Sequence, residues 1–314
     1  MFIRIIIILS ISIGFTAKVY STTPNPFDFT QAEDSLFKLV TAMVSEENLS
    51  EKIELNNTFS NFFGEILAKD GSFEYPFDSL KNIGRLRSSD GKIRIINWNL
   101  PLSAGQHKYF GFIQVKDSAR VATFPMIDRR SEVANPQMEI NGPEKWYGAL
   151  YYHIETNSSK GKTWYTLLGF DFNNLFTSKR VIEVLSFNEE GKPIMGAPIF
   201  SVKNQTINRV IFEHSARVRM LLRFDEGKGM IVFDHLSPSR NDYVGNYQFY
   251  GPDFTYDGFR FEDGVWNYYS NIDLRNPSRE TPPKPLTPPE ENPEPGFLYR
   301  SNLELRNQNE EIKE

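Results

Sequence analysis

Between Arg85 and Asn276 the sequence is a succession of short β-type runs, divided by tight-turn dipeptides and without helical periodicity. This pattern restricts most of the chain to antiparallel sheet. The turn signals are acid–glycine pairs, namely Asp90-Gly91, Glu190-Gly191, Asp257-Gly258 and Asp263-Gly264, which tolerate the positive φ angles of tight hairpins. Strands are expected at Arg94–Asn99, Trp146–Glu155, Thr163–Asp171, Arg180–Phe187, Arg209–His214, Arg217–Phe224, Met230–His235, Tyr247–Tyr250, Gly258–Phe261 and Val265–Tyr269. Successive hairpins must stack or close to protect their edges, so a sandwich, barrel or roll is expected. The similar triplets Asp90-Gly91-Lys92, Glu190-Gly191-Lys192 and Glu226-Gly227-Lys228 fall at unequal intervals with no blade signature, which makes a propeller the weaker alternative.

The preceding segment, residues 22–84, has a different period. After an extended lead-in containing Pro24 and Pro26, Thr30 and Glu33 read as a capping box, and Leu36, Leu39, Val40 and Met43 share one face of a first helix. A second helix follows Ser50, with Phe59, Phe62, Phe63, Ile66 and Leu67 as its buried stripe, and ends near Asp70-Gly71. The expected fold class is therefore α+β: a short N-terminal helical pair, then a large antiparallel β domain over 85–276.

The ends carry their own signals. Ile5 to Ala17 form an uncharged, largely apolar run between Arg4 and Lys18, followed by small or polar residues before Thr22. This is the layout of a secretory signal peptide over residues 1–21, and it is short for a membrane span. From Pro277 to Pro295 eight prolines are interleaved with Glu, Lys and Thr, as in an extended linker (277–296). A polar tail, 297–314, follows. The chain has no cysteine, so neither a disulfide nor a lipidated N-terminal cysteine is available, and an exported chain must depend on its apolar core. Loss of residues 1–21 takes the formal charge from −5 to −7. An acidic chain of this kind lacks the basic field that nucleic acid or an anionic membrane requires.

No phosphate loop, nucleophile elbow or His-Glu-x-x-His motif is present, and nothing calls for a cofactor or a metal. The Asp171-Phe172-Asn173-Asn174-Leu175 run begins like a calcium loop but lacks the glycine and the final acid, and reads as a turn. Three groups of side chains are chemically suggestive. Tyr151, His153 and Glu155 would share a strand face opposite Trp146, Leu150, Tyr152 and Ile154, and His153 with Glu155 could serve as an acid–base pair or as a polar sheet rim. Arg217, Arg219 and Arg223 would line one face of a strand whose core face carries Val218, Met220, Leu222 and Phe224; they suit either an anionic ligand or neighbouring acids. The stretch Tyr247 to Phe259 has two aromatic runs interrupted by Gly251-Pro252, a turn that would display Tyr250, Phe254 and Tyr256 for stacking on a sugar or a peptide, or pack them at a strand junction.

The residues Trp164–Asp171, Val181–Phe187, Gly196-Ala197-Pro198 and Met230–Leu236, taken with the aromatic stretch, resemble a group of exported proteins from Bacteroidetes-type bacteria that has no assigned activity. The resemblance covers roughly Arg85 to Asn276. It implies a cell-envelope location, periplasmic or secreted, and transfers no catalytic residue. Such bacteria O-glycosylate exported proteins at Asp-Ser/Thr-apolar triplets, which here are Asp34-Ser35-Leu36, Asp78-Ser79-Leu80 and Asp117-Ser118-Ala119. Ser79 and Ser118 are the candidate acceptors, since Ser35 falls within a helix; a native intact mass equal to that of the bare mature sequence would exclude both. Three functions are compatible with these features: a non-catalytic binder of glycan, peptide or another envelope protein, an envelope hydrolase using His153 and Glu155, and a structural accessory subunit.

Overall fold

Alternation along the strands sorts the apolar side chains into three separate cores, and these cores hold four layers together. The computed structural model describes residues 27–275 apart from Ala119 and Asn204. The expected signal segment 1–21, linker 277–296 and tail 297–314 lie outside the described residues. The first layer is a pair of helices, α1 (Phe29–Ser45) and α2 (Leu49–Leu67). The first sheet has the order β1 (Gly84–Arg87), β2 (Ile93–Pro101), β3 (His107–Asp117), β4 (Arg120–Ile127).

The second sheet contains β5 (Leu150–Ser159), β6 (Lys162–Asp171), β7 (Thr177–Phe187) and β11 (Val210–Ser215) in the order β11-β7-β6-β5, with short β8 (Pro193–Met195) paired to β7. The third runs β10 (Gln205–Ile207), β9 (Phe200–Val202), β15 (Val265–Tyr269), β14 (Tyr250–Glu262), β13 (Met230–Pro238), β12 (Leu222–Asp225). Among the described residues, the named strands pair antiparallel except β15 with β9. No sheet of the described residues closes into a barrel, so the β region is sandwich-like and the α+β expectation holds.

The helices bury Leu36, Val40, Met43, Phe59 and Phe63 against Ile96, Trp98, Leu100 and Phe112 of the first sheet. Its other face, with Ile93, Ile95, Tyr109 and Ile113, packs on Tyr165, Leu167, Val181 and Leu185 of the second. The second sheet then turns Leu168, Ile182 and Val184 toward Phe200, Ile231, Phe233, Phe259 and Trp266 of the third. A sheet buried on both faces explains the nearly continuous apolar runs in β6 and β7, and burial of each such side chain contributes about 1.5–3 kcal/mol. Buried polar contacts cross each interface. Trp98 Nε1 donates to Asn56 Oδ1 at 2.8 Å between helix and sheet, and the Asn97 side chain hydrogen-bonds the Tyr151 backbone N–H at 2.7 Å between sheets. Trp266 Nε1 donates to Thr166 Oγ1 at 3.1 Å across the last interface. Each would leave an unpaired group if the layers slid, so these contacts fix their register.

Several expectations change. Asp28, not Thr30, caps α1, and Asn48, not Ser50, caps α2. Glu33 is buried and accepts from Tyr75 Oη (2.6 Å) and Ser79 N (2.6 Å), anchoring the segment after α2 instead of closing a capping box. Asp257-Gly258 lies inside β14; glycine is required there because a Cβ would sit 2.7 Å from the Ile231 carbonyl oxygen. Trp146 precedes β5, and residues 247–249 form a single 3₁₀ turn. Strands β3 and β4, which the sequence does not single out, complete the first sheet.

His214 on β11 is buried, its Nδ1 lies 2.9 Å from the Ser215 carbonyl, and burial lowers its pKa. The folded protein therefore resists a proton that the unfolded chain accepts below about pH 6.5, so stability should fall as pH drops from about 6.5 toward the depressed folded value. In denaturant titrations across that window, His214→Asn should flatten the decline; a variant profile parallel to wild type would remove His214 as the cause.

Candidate functional site

Two turns of the second sheet and one extended end of the third enclose a groove of about 620 Å³. Leu175 and Phe176, from the Asn-rich turn between β6 and β7, form one wall; Ser215, Arg217 and Val218, at and just beyond the end of β11, form the next. Ser237–Ser239 and Gln248–Pro252 close it. The groove exists here because β13 and β14 run on past the rest of their sheet: Leu236, Ser237 and Pro238 pair with Pro252, Gly251 and Tyr250, whereas β12 stops pairing at Phe233. Gly251 leaves room above the strand for Val218, 3.6 Å from where a Cβ would stand. Leu175 and Phe176 are about two-thirds exposed, and Val218 and Phe249 are also exposed. Arg217 is the sole charged residue of the wall, and no carboxylate pairs with it among the described residues.

The arginine stripe expected from the sequence does not form. Residues 216–221 are not strand, because the chain turns after Ser215. Arg217 and Arg219 are exposed on that turn, and only Arg223 lies in a strand, where it pairs with Asp225 at 2.7 Å. Met220 and Leu222 are buried as expected, Phe224 is half-buried, and Val218 is exposed in the groove. The aromatic stretch is also rearranged: Gly251-Pro252 is paired strand, and Tyr250 lines the groove while its hydroxyl accepts from Gly245 N at 3.0 Å. Tyr256 is half-buried and does not line the groove.

The break in β14 comes one step later. His235 alone, on β13, faces three residues, Asp253, Phe254 and Thr255, so the ladder bulges. Phe254 adopts φ +69° and is 90% exposed. A positive φ is costly for a bulky residue, and such strain is characteristic of functional positions. Beneath it, Asp257 is buried and accepts three hydrogen bonds: from Tyr268 Oη (2.6 Å), from Asn271 N (3.2 Å) and from His235 Nδ1 (2.7 Å). The Asp257 carboxylate holds the ring through Nδ1, and Nε2 lies 3.9 Å from Asp253 Oδ2. Asp234, on the opposite side of the strand, accepts from Leu221 N instead. The sequence offers no hint of this pairing, because His235 and Asp257 meet only through strand register.

His153 and Glu155 do adjoin, with Nε2 and Oε2 3.5 Å apart. A bulge at Tyr152 shifts the alternation, so Tyr151 turns into the core with Ile154 and does not join them. His153 stacks on Phe224 (5.8 Å, 16°), and burial raises the Glu155 carboxyl above its ordinary range. Neither residue lines a groove described here. Ser118 borders a mixed-charge cleft of about 980 Å³ and Ser79 an apolar groove of about 740 Å³ beside α1; both serines are exposed.

Among the described residues, no helix is long and apolar enough to cross a membrane, and no three His, Asp or Glu side chains are grouped to hold a metal ion. In comparisons with known proteins, the chain matches no family model, no curated protein and no solved structure.

Proposed function

We propose that this chain is an exported, non-catalytic binding protein of the cell envelope and that the groove between Phe176 and Phe249 is its binding site. The observation that carries this reading is the groove's composition: exposed Leu175, Phe176, Val218 and Phe249 surround one unpaired cation, Arg217. Large apolar side chains at a concave surface, with few polar groups to fix orientation, are what a ligand site requires and what a monomer surface otherwise avoids. Export rests on the N-terminal segment, and the large apolar cores let a cysteine-free chain hold its fold without disulfides. The test is to probe peptide and oligosaccharide arrays with the mature chain (22–314). A ligand should be found whose Kd rises at least 10-fold in Phe176→Ser/Phe249→Ser, with unchanged circular dichroism. Full affinity in that variant would put the site elsewhere, and silence on both arrays would overturn the reading.

The His235–Asp257 pair favours a second reading, an envelope hydrolase in which Asp257 orients His235 and Nε2 takes a proton from water. It replaces His153 and Glu155 as the acid–base candidate. Among the described residues no hydroxyl is hydrogen-bonded to Nε2, which is why binding is preferred. Turnover of chromogenic ester, peptide or glycoside substrates that disappears in His235→Ala would establish the hydrolase and reject the non-catalytic reading.

A further inference from the structure

Resting on the binding-site reading above, the geometry points to the class of ligand: we propose that the groove takes an extended, acidic peptide, added as a strand to the outer edge of β13. The first support is the sheet edge. Past Asp234, whose N–H donates to the Leu221 carbonyl at 3.2 Å, β13 has β14 on one side and no strand on the other among the described residues. Leu236–Pro238 thus continue a strand whose outer edge presents the Leu236 N–H and the Leu236 and Pro238 carbonyls with no ladder partner among the described residues, Pro238 itself having no N–H, and Ser237–Ser239 lie in the groove wall. An unpaired edge is a template for an added strand, with main-chain hydrogen bonds giving affinity and pockets for alternate side chains giving specificity.

The second support is charge. The wall contains no Asp or Glu, and its single cation has no carboxylate partner among the described residues. A neutral sugar is bound through acids and amides that accept from its hydroxyls, and Gln248 is the sole such side chain here. A carboxylate, by contrast, matches the fork of a guanidinium bidentately. The third support is the apolar wall from Phe176 to Phe249, which suits side chains on either side of that acid. The peptide expected is therefore extended, with one Asp or Glu flanked by aromatic or aliphatic residues.

The probe is a set of acetylated hexapeptides of that pattern, measured by fluorescence anisotropy against the mature chain, each then N-methylated at one position at a time. Strand addition predicts that methylation at every second residue weakens binding at least 10-fold while the intervening positions tolerate it. Arg217→Glu should abolish binding and Arg217→Lys should restore it only in part, since one ammonium cannot supply the fork. Arg217 is exposed on a turn, so neither change threatens the fold. Peptide binding that depends on Phe176 and Phe249 but shows no alternation under methylation would overturn strand addition and leave the binding site standing. Oligosaccharide binding without peptide binding would overturn the peptide class alone, and binding of neither would remove both.

Discussion

Replacing Arg209 with Met should lower the free energy of unfolding by about 3–5 kcal/mol, a large part of the stability a single domain possesses. Glu183 on β7 and Arg209, just before β11, are both fully buried, with Nε 2.5 Å from Oε2. Glu183 also accepts from the Val184 N–H, and Arg209 donates to the Pro136 carbonyl and lies over the Tyr147 ring. The same region pins the loop before β5, through Asn208 N to the Gln137 carbonyl at 2.8 Å. Burial pushes the Glu183 carboxyl upward and Arg209 opposes that push; the carboxylate in turn holds the guanidinium charged. Without the cation a buried carboxylate stands alone, and its cost far exceeds the packing that Met retains. The double variant Glu183→Leu/Arg209→Met should recover most of the loss, because an apolar pair of similar volume carries no desolvation penalty. Urea titrations of the two variants decide the point: a single-variant loss below about 1 kcal/mol, or a double variant no better than the single, would contradict it.

The same pair shows why some of this molecule was legible and some was not. Strands β6, β7 and β15 were readable because β-branched and aromatic residues run between turn signals that act locally, Gly191 at φ +73° and Gly264 at φ +94° among them. Helix stripes were readable because Phe59, Phe63 and Ile66 follow a fixed period. What failed depends on register between distant segments. The bulge at Tyr152 reverses the face of Tyr151, and nothing in the local sequence announces one extra residue. Arg217–Phe224 alternates as a strand should, yet its first half turns away because the chain must pass from β11 in one sheet to β12 in another. The groove is half visible in the sequence: Arg217 and Tyr250 stand out by type, whereas Leu175 and Phe176 lie in an Asn-rich turn that begins like a calcium loop and lacks its glycine and final acid. Two large apolar residues in an Asn-rich turn were the available signal, since turns seldom expose them without use.

The second large effect is expected at Arg130, which joins the first two sheets. Its guanidinium donates to Asp128 Oδ2 at 3.0 Å, to Asp171 Oδ1 at 2.7 Å and to the His107 carbonyl at 3.1 Å, and it lies 4.7 Å from the centroid of the Tyr109 ring. Both carboxylates are nearly inaccessible, and each carries further structure. Asp128 accepts from Tyr109 N, while Asp171 accepts from Tyr109 Oη and Asn173 N. The two acids hold Arg130 charged, and Arg130 offsets their mutual repulsion. Arg130→Met should therefore cost about 3–5 kcal/mol at neutral pH, by the same penalty for uncompensated buried charge. A second substitution separates this cause from lost packing. Asp171→Asn in the Arg130→Met background should regain stability at pH 7, because it removes one of the two charges while preserving a side-chain acceptor for the Tyr109 hydroxyl and the Asn173 N–H. If that double variant is less stable than Arg130→Met alone, electrostatic relief is not the operative term, and the cluster acts through packing.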